Sequence, residues 1–152
     1  MTGVWVLLAA VLAALVLGLV LRRRSGSVRA VEPADGDEQL AVLLAQAGVP
    51  DAGSAPLLLH FSASWCGPCV GVRQLVGQLA GQLPWLRHVE VDVSVHPELS
   101  ARLRVLSLPS VLIYDTGLQQ RFRVAGAPSA ADLRAALAPL SPGGAAPGPV
   151  AG

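Results

Sequence analysis

The only two cysteines of the chain, Cys66 and Cys69, stand two residues apart, between an apolar run and a stretch with helical periodicity. Leu57 to Ala63 is short, apolar and followed by a glycine-proline turn, the pattern of a buried strand. From Pro68 to about Leu83, the residues Val72, Leu75, Val76, Leu79 and Leu83 share one helical face. The chain is thus committed to a strand that turns at once into a helix, with both cysteines at the helix start. A helix N-terminus presents unpaired N–H groups and a partial positive charge, which favour a thiolate there. Gly67 permits the tight turn, and Pro68 suits a first helical turn because its missing N–H would be unpaired anyway. The two-residue spacing lets the sulfurs reach bonding distance. This is the arrangement for thiol–disulfide exchange: Cys66 attacks a disulfide as a thiolate, and Cys69 then attacks the mixed disulfide and releases the product.

Two other uses of such a pair fit less well. A zinc site takes four ligands, and beyond the cysteines the chain offers only His60, His88 and His96, so no metal is expected. A purely structural disulfide across so short a loop removes little entropy from the unfolded chain.

Val4 to Leu21 is an unbroken apolar stretch of 18 residues. As a helix it would span about 27 Å, close to the roughly 30 Å hydrocarbon core of a bilayer. Trp5 lies near one end, and Arg22, Arg23 and Arg24 close the other. A signal peptide carries its charges before the apolar run and a cleavage site after it; here the order is reversed. The positive-inside rule therefore predicts an uncleaved single-pass membrane anchor, with the N-terminus outside and the rest cytoplasmic. Beyond residue 24, 8 Arg stand against 10 acidic residues, and the chain has no Lys. No basic patch or aromatic-basic alternation points to nucleic acid.

Ser25, Gly26 and Ser27 read as a short flexible joint, and Val28 to Glu32 fits either an edge strand or a linker. Asp37 is the expected N-cap of a helix carrying Leu40, Val42, Leu43, Leu44 and Ala47, which Gly48 and Pro50 end. His88 to Val93 alternates as a strand, and Pro97 opens a helix to Leu103. Ser110–Tyr114 and Gln120–Val124 pair as a hairpin around Asp115, Thr116 and Gly117. Ser129 caps a last helix to Leu137. Strands alternating with helices, then a hairpin and a closing helix, predict a layered α/β fold.

Trp65-Cys66-Gly67-Pro68-Cys69 matches the active-site motif of the thioredoxin family. Leu103 to Val111, with Pro109 inside it, resembles the second hallmark of that family, and Val124-Ala125-Gly126 its strand-end glycine segment. The resemblance covers about residues 37 to 138. It implies a thioredoxin-like α/β fold, a central mixed sheet flanked by helices, preceded here by the transmembrane helix. The expected organisation is an anchor over 1–24, a linker over 25–36, the thioredoxin-like domain over 37–138, and a disordered Pro/Gly/Ala-rich tail over 139–152.

The resemblance also implies a protein-disulfide reductase. Its partners would be disulfide-containing client proteins and a thioredoxin-reductase-type electron donor, with no bound organic cofactor. Cys66 would be the nucleophile and Cys69 the resolving thiol. Pro109 would be cis, near the sulfurs, leaving the Leu108 backbone to pair with an extended client segment; without the motif it would read as a trans proline opening a strand. Trp65, Gly67 and Pro68 would complete the client-binding surface, although Trp65 alone also fits a core aromatic. One position departs from the family. Six residues before the first cysteine the family carries a buried Asp, and this chain has His60. The lysine partnered to that acid aligns near Glu90. A neutral imidazole can accept the proton of the resolving thiol. A protonated one would stabilise thiolate and make the protein more oxidising. The alternative is a core histidine satisfied by a backbone carbonyl. No role is expected for His88 or His96, placed at the surface. The rival functions are an exported reductase, isomerase or oxidase, and a non-catalytic binding module on the same fold.

Overall fold

The computed structural model describes residues 2–24, 26–31 and 38–143; the expected N-cap at Asp37 and the tail beyond 143 lie outside them. The elements in chain order are α1 (Thr2–Arg24), β1 (Val28–Ala30), α2 (Glu38–Gln46), β2 (Leu57–Ser62), α3 (Gly67–Gln82), β3 (Arg87–Asp92), α4 (Pro97–Arg102), β4 (Ser110–Tyr114), β5 (Gln120–Ala125) and α5 (Ala130–Leu137). A 3-10 turn, Ala138–Leu140, follows α5, and Leu140 packs onto the core.

The five strands form one mixed sheet in the order β1-β5-β4-β2-β3. Only β2 and β3 run parallel; β2–β4, β4–β5 and β5–β1 are antiparallel. Every residue of β2 is buried, because alternate side chains feed cores on opposite faces of the sheet. Leu57, Leu59 and Phe61 meet Leu40 and Leu44 of α2 and Leu99 of α4. Leu58, on the other face, meets Val72, Val76 and Leu79 of α3 and Leu133 and Leu137 of α5. The hairpin turn carries Leu118 at φ 56°, and Asp115 Oδ1 accepts from the backbone N–H groups of Gly117 and Gln119. Ser129 caps α5, its hydroxyl accepting from the Asp132 N–H.

The segment that sequence left open between strand and linker is the edge strand β1. Val28 stands opposite Val124 and Ala30 opposite Phe122. The joint before it is docked: the Gly26 N–H donates to the Ala125 carbonyl at 2.7 Å. Gly26 is buried and has φ 87°, and a Cβ there would lie 2.1 Å from the Ala127 carbonyl oxygen, so only glycine fits. α1 is a helix of 23 residues. Its described side chains, those of residues 5–20, are all exposed. Among the described residues, no helix is long and apolar enough to cross a membrane.

Leu112 in β4 is fully buried in the core on the α2 side. Leu112→Ala is expected to lower the unfolding free energy by about 2–5 kcal/mol, read from the shift of the denaturant midpoint.

Candidate active site

β2 ends at Ser62, and the chain turns through Ala63, Ser64 and Trp65 into α3. The Cys66 N–H donates to the Ala63 carbonyl at 3.0 Å, and the Cys69 N–H to the Cys66 carbonyl at 3.2 Å. Cys66 is the N-cap residue of α3 and makes no side-chain capping bond, and a proline stands in the first turn. This is the strand–turn–helix that the motif predicts, with the first sulfur at the positive end of the helix dipole. Cys66 and Cys69 form a disulfide with Cα atoms 5.4 Å apart. Cys66 is less open than its expected role suggests, at 7% exposure, yet remains more accessible than Cys69 at 1%.

The two cysteines pack with Ala63, and Val93 and Leu108 close over them. The Leu108–Pro109 bond is cis. The loop that carries it is tied at several points. Arg123 of β5 donates to the Leu103 carbonyl at 2.6 Å and to the Arg104 carbonyl at 3.1 Å. The Ser110 hydroxyl donates to the Ser107 carbonyl at 2.7 Å, and the Gly126 N–H to the Pro109 carbonyl at 2.8 Å. Trp65 is 74% exposed and Leu106 93%. Trp65 is therefore a surface aromatic beside the disulfide, not part of the core.

Beneath the site, His60 is fully buried. It lies on β2, between β4 and β3 in the sheet, opposite Glu90 of β3 and Val111 of β4. Neither ring nitrogen has a hydrogen-bond partner among the described residues, so the imidazole is not satisfied by a carbonyl. His88, expected at the surface, stacks on it with ring centroids 6.4 Å apart, and the His88 Nε2 is likewise buried without a partner. Burial pushes the His60 pKa down to about 4; Glu90 opposes the shift, while His88 and Arg73 add to it. Burial also lowers the pKa of His88.

Glu90 does not stand alone. Arg73 Nε donates to its Oε2 at 2.7 Å and Arg73 Nη2 to its Oε1 at 2.6 Å, a two-pronged charged contact. The Ser62 hydroxyl donates to Oε1 at 2.5 Å. The hydrogen bond from Arg73, opposed in part by burial and helped by Ser62, brings the Glu90 pKa down to about 2. Sequence reasoning missed both partners. Arg73 is the one charged residue of α3, four positions after Cys69, and Ser62 shares a face of β2 with His60; those two signals point at Glu90 once the strands are paired. Among the described residues no cluster of His, Cys, Asp and Glu is placed to hold a metal.

The profile of the thioredoxin family matches residues 47–139. Thioredoxin 1 of Chlorobaculum tepidum is 38% identical over 73 residues, 47% of this chain and 71% of that protein. The bifunctional thioredoxin reductase/thioredoxin of Mycobacterium leprae is 33% identical over 88 residues, 57% of this chain and 19% of its own. The structure of Fasciola hepatica thioredoxin superposes with a TM-score of 0.56 at 25% identity, covering 64% of this chain and 91% of that one.

The lowered pKa of His60 has a consequence for stability. An imidazole that resists protonation when folded contributes stability that is complete above its ordinary value of 6.5 and is lost as the pH falls toward about 4. Glu90 acts lower, its contribution present above 4.5 and lost toward about 2. Denaturant titrations between those two ordinary values are expected to show stability falling with pH, and His60→Leu is expected to remove most of that fall. His88, shifted in the same direction, accounts for the remainder. An unchanged slope in the variant would show that His60 does not carry it.

Proposed function

Because the chain belongs to the thioredoxin family and carries its redox-active cysteine pair, it is a protein-disulfide oxidoreductase, and we propose that it works as a reductase tethered to a membrane. The observation that carries the reductase reading is the Cys66–Cys69 pair at the start of α3, flanked by the exposed Trp65 and the loop of Leu108 and Pro109.

In the dithiol form, the Cys66 thiolate attacks one sulfur of a client disulfide. A Cys66–client disulfide forms, and the other client sulfur leaves as a thiolate that takes up a proton. Cys69 then loses its proton and attacks Cys66 Sγ. The Cys66–Cys69 disulfide closes and the second client thiol is released, so two electrons have passed to the client. His60 is the proposed acceptor of the Cys69 proton, since a buried neutral imidazole with unpartnered nitrogens has that capacity. Trp65, Gly67 and Pro68 form the client surface, with the Leu108 backbone pairing to an extended segment. A thioredoxin-reductase-type partner returns the two electrons; the bifunctional Mycobacterium leprae relative supports that class of donor.

Tethering rests on the apolar stretch from residue 4 to 21 followed by three arginines, and on the exposure of every described side chain of α1. The positive-inside rule puts the domain on the cytoplasmic side.

Three outcomes test these readings. Cys66→Ser is expected to abolish insulin reduction with dithiothreitol to the rate of the thiol alone, whereas Cys69→Ser is expected to accumulate a mixed disulfide visible on non-reducing gels. A folded wild-type protein that gives no acceleration would make the domain a binding module. For topology, a green fluorescent protein fused after Gly152 in a bacterial host is expected to fluoresce and an alkaline phosphatase fusion to be inactive. The reverse pattern would assign an exported enzyme.

A further inference from the structure

Where α1 joins the sheet decides where the dithiol stands. β2 ends at the active site, and Phe61 is opposite Ser110, the first residue of β4. Ser110 is opposite Ala125, the last residue of β5. β1 is antiparallel to β5, with Val28 opposite Val124, so β1 begins at the same end. The Gly26 N–H is bonded to the Ala125 carbonyl, and the N–H of the next residue, Gly126, donates to the Pro109 carbonyl. α1 therefore enters the domain at its active-site end, on the row of residues that leads through Pro109 to the cysteines.

The distances are short. β1 is two strands from β4 and three from β2 in the sheet, which places its start roughly 10 Å from the Pro109 strand and roughly 14 Å from the end of β2. One residue, Ser25, separates Arg24 from Gly26, so these two Cα atoms are at most about 7 Å apart. Attachment at the opposite end of the sheet would add the length of a six-residue strand, about 20 Å. Nor is there slack at Gly26, whose backbone is pressed against Ala127 with no room for a Cβ. The loops at this end also expose the apolar side chains of Trp65, Val95 and Leu106, a composition suited to an interfacial setting.

Resting on the reading of α1 as a membrane anchor, we propose that the active-site end of the domain faces the bilayer, and that the clients are disulfides of membrane-embedded proteins lying close to the bilayer surface. The tether acts as a fixed short spacer: it confines Cys66 to a shallow layer next to the lipid headgroups, where the effective concentration of such disulfides is high and that of distant ones is low.

The test uses the full chain, reduced with dithiothreitol, desalted and reconstituted in vesicles of phosphatidylcholine and phosphatidylglycerol. Two transmembrane peptides serve as clients, one with its disulfide beside the apolar span and one with the same disulfide at the tip of a helical stalk of about 30 residues, about 45 Å long. The near disulfide is expected to be reduced about tenfold faster. A Gly/Ser insert of about 20 residues between Arg24 and Ser25, which leaves the domain untouched, is expected to bring the ratio close to one. Equal rates for the wild type, with the protein still in the vesicles after an alkaline carbonate wash, would overturn the facing while leaving the anchor intact. Release of the protein by carbonate would remove the anchor itself, and the proposal with it.

Discussion

Burial of β2 on both faces is the constraint from which the rest follows. A strand packed by leucines on alternate faces has no freedom to slip, because a shift of one residue would exchange Leu58 and His60 for Leu59 and Phe61 between two different cores. Its end is thereby fixed, and the turn from Ser62 into α3 delivers Cys66 to one place. The antiparallel ladder carries that position outward: β4 starts beside it, β5 finishes beside the start of β4, and β1 starts beside the end of β5.

A polar network sits under this apolar frame. His60 occupies a buried position with no partner for either nitrogen among the described residues, a placement that costs stability in an ordinary core. Next to it, Glu90 is held ionised by Arg73 and Ser62. The arrangement ties α3 to β3 through charge and leaves the imidazole neutral and uncommitted, which suits a group that handles a proton only during turnover.

Much of this was legible in the sequence because it is local. The motif, the glycine-proline turn and the helical face of Val72, Val76 and Leu79 lie within one short stretch, and their physics is that of neighbours in the chain. The hairpin and the Ser129 cap are local too. His88 was misplaced because alternation along β3 says nothing of what stacks against it from β2. The joint at Gly26 read as flexible because glycine between two serines is the usual mark of a loose linker; its docking depends on Ala125 and Ala127, about a hundred residues away. Arg73 and Ser62 were silent for the same reason, since their meaning comes from the register that places Glu90 between them.

The ties on the loop before Pro109 have an entropic consequence. Arg123 holds its start, Ser110 and Gly126 hold its end, and Leu106 projects from between them. Under the proposed function, a client strand docking there would meet a loop whose conformational freedom was surrendered during folding rather than at the moment of encounter. Recognition can then be both brief and selective. Little ordering is demanded of the enzyme, so weak contacts suffice to hold a client for the lifetime of a mixed disulfide and to let it go once the second thiol has closed the ring.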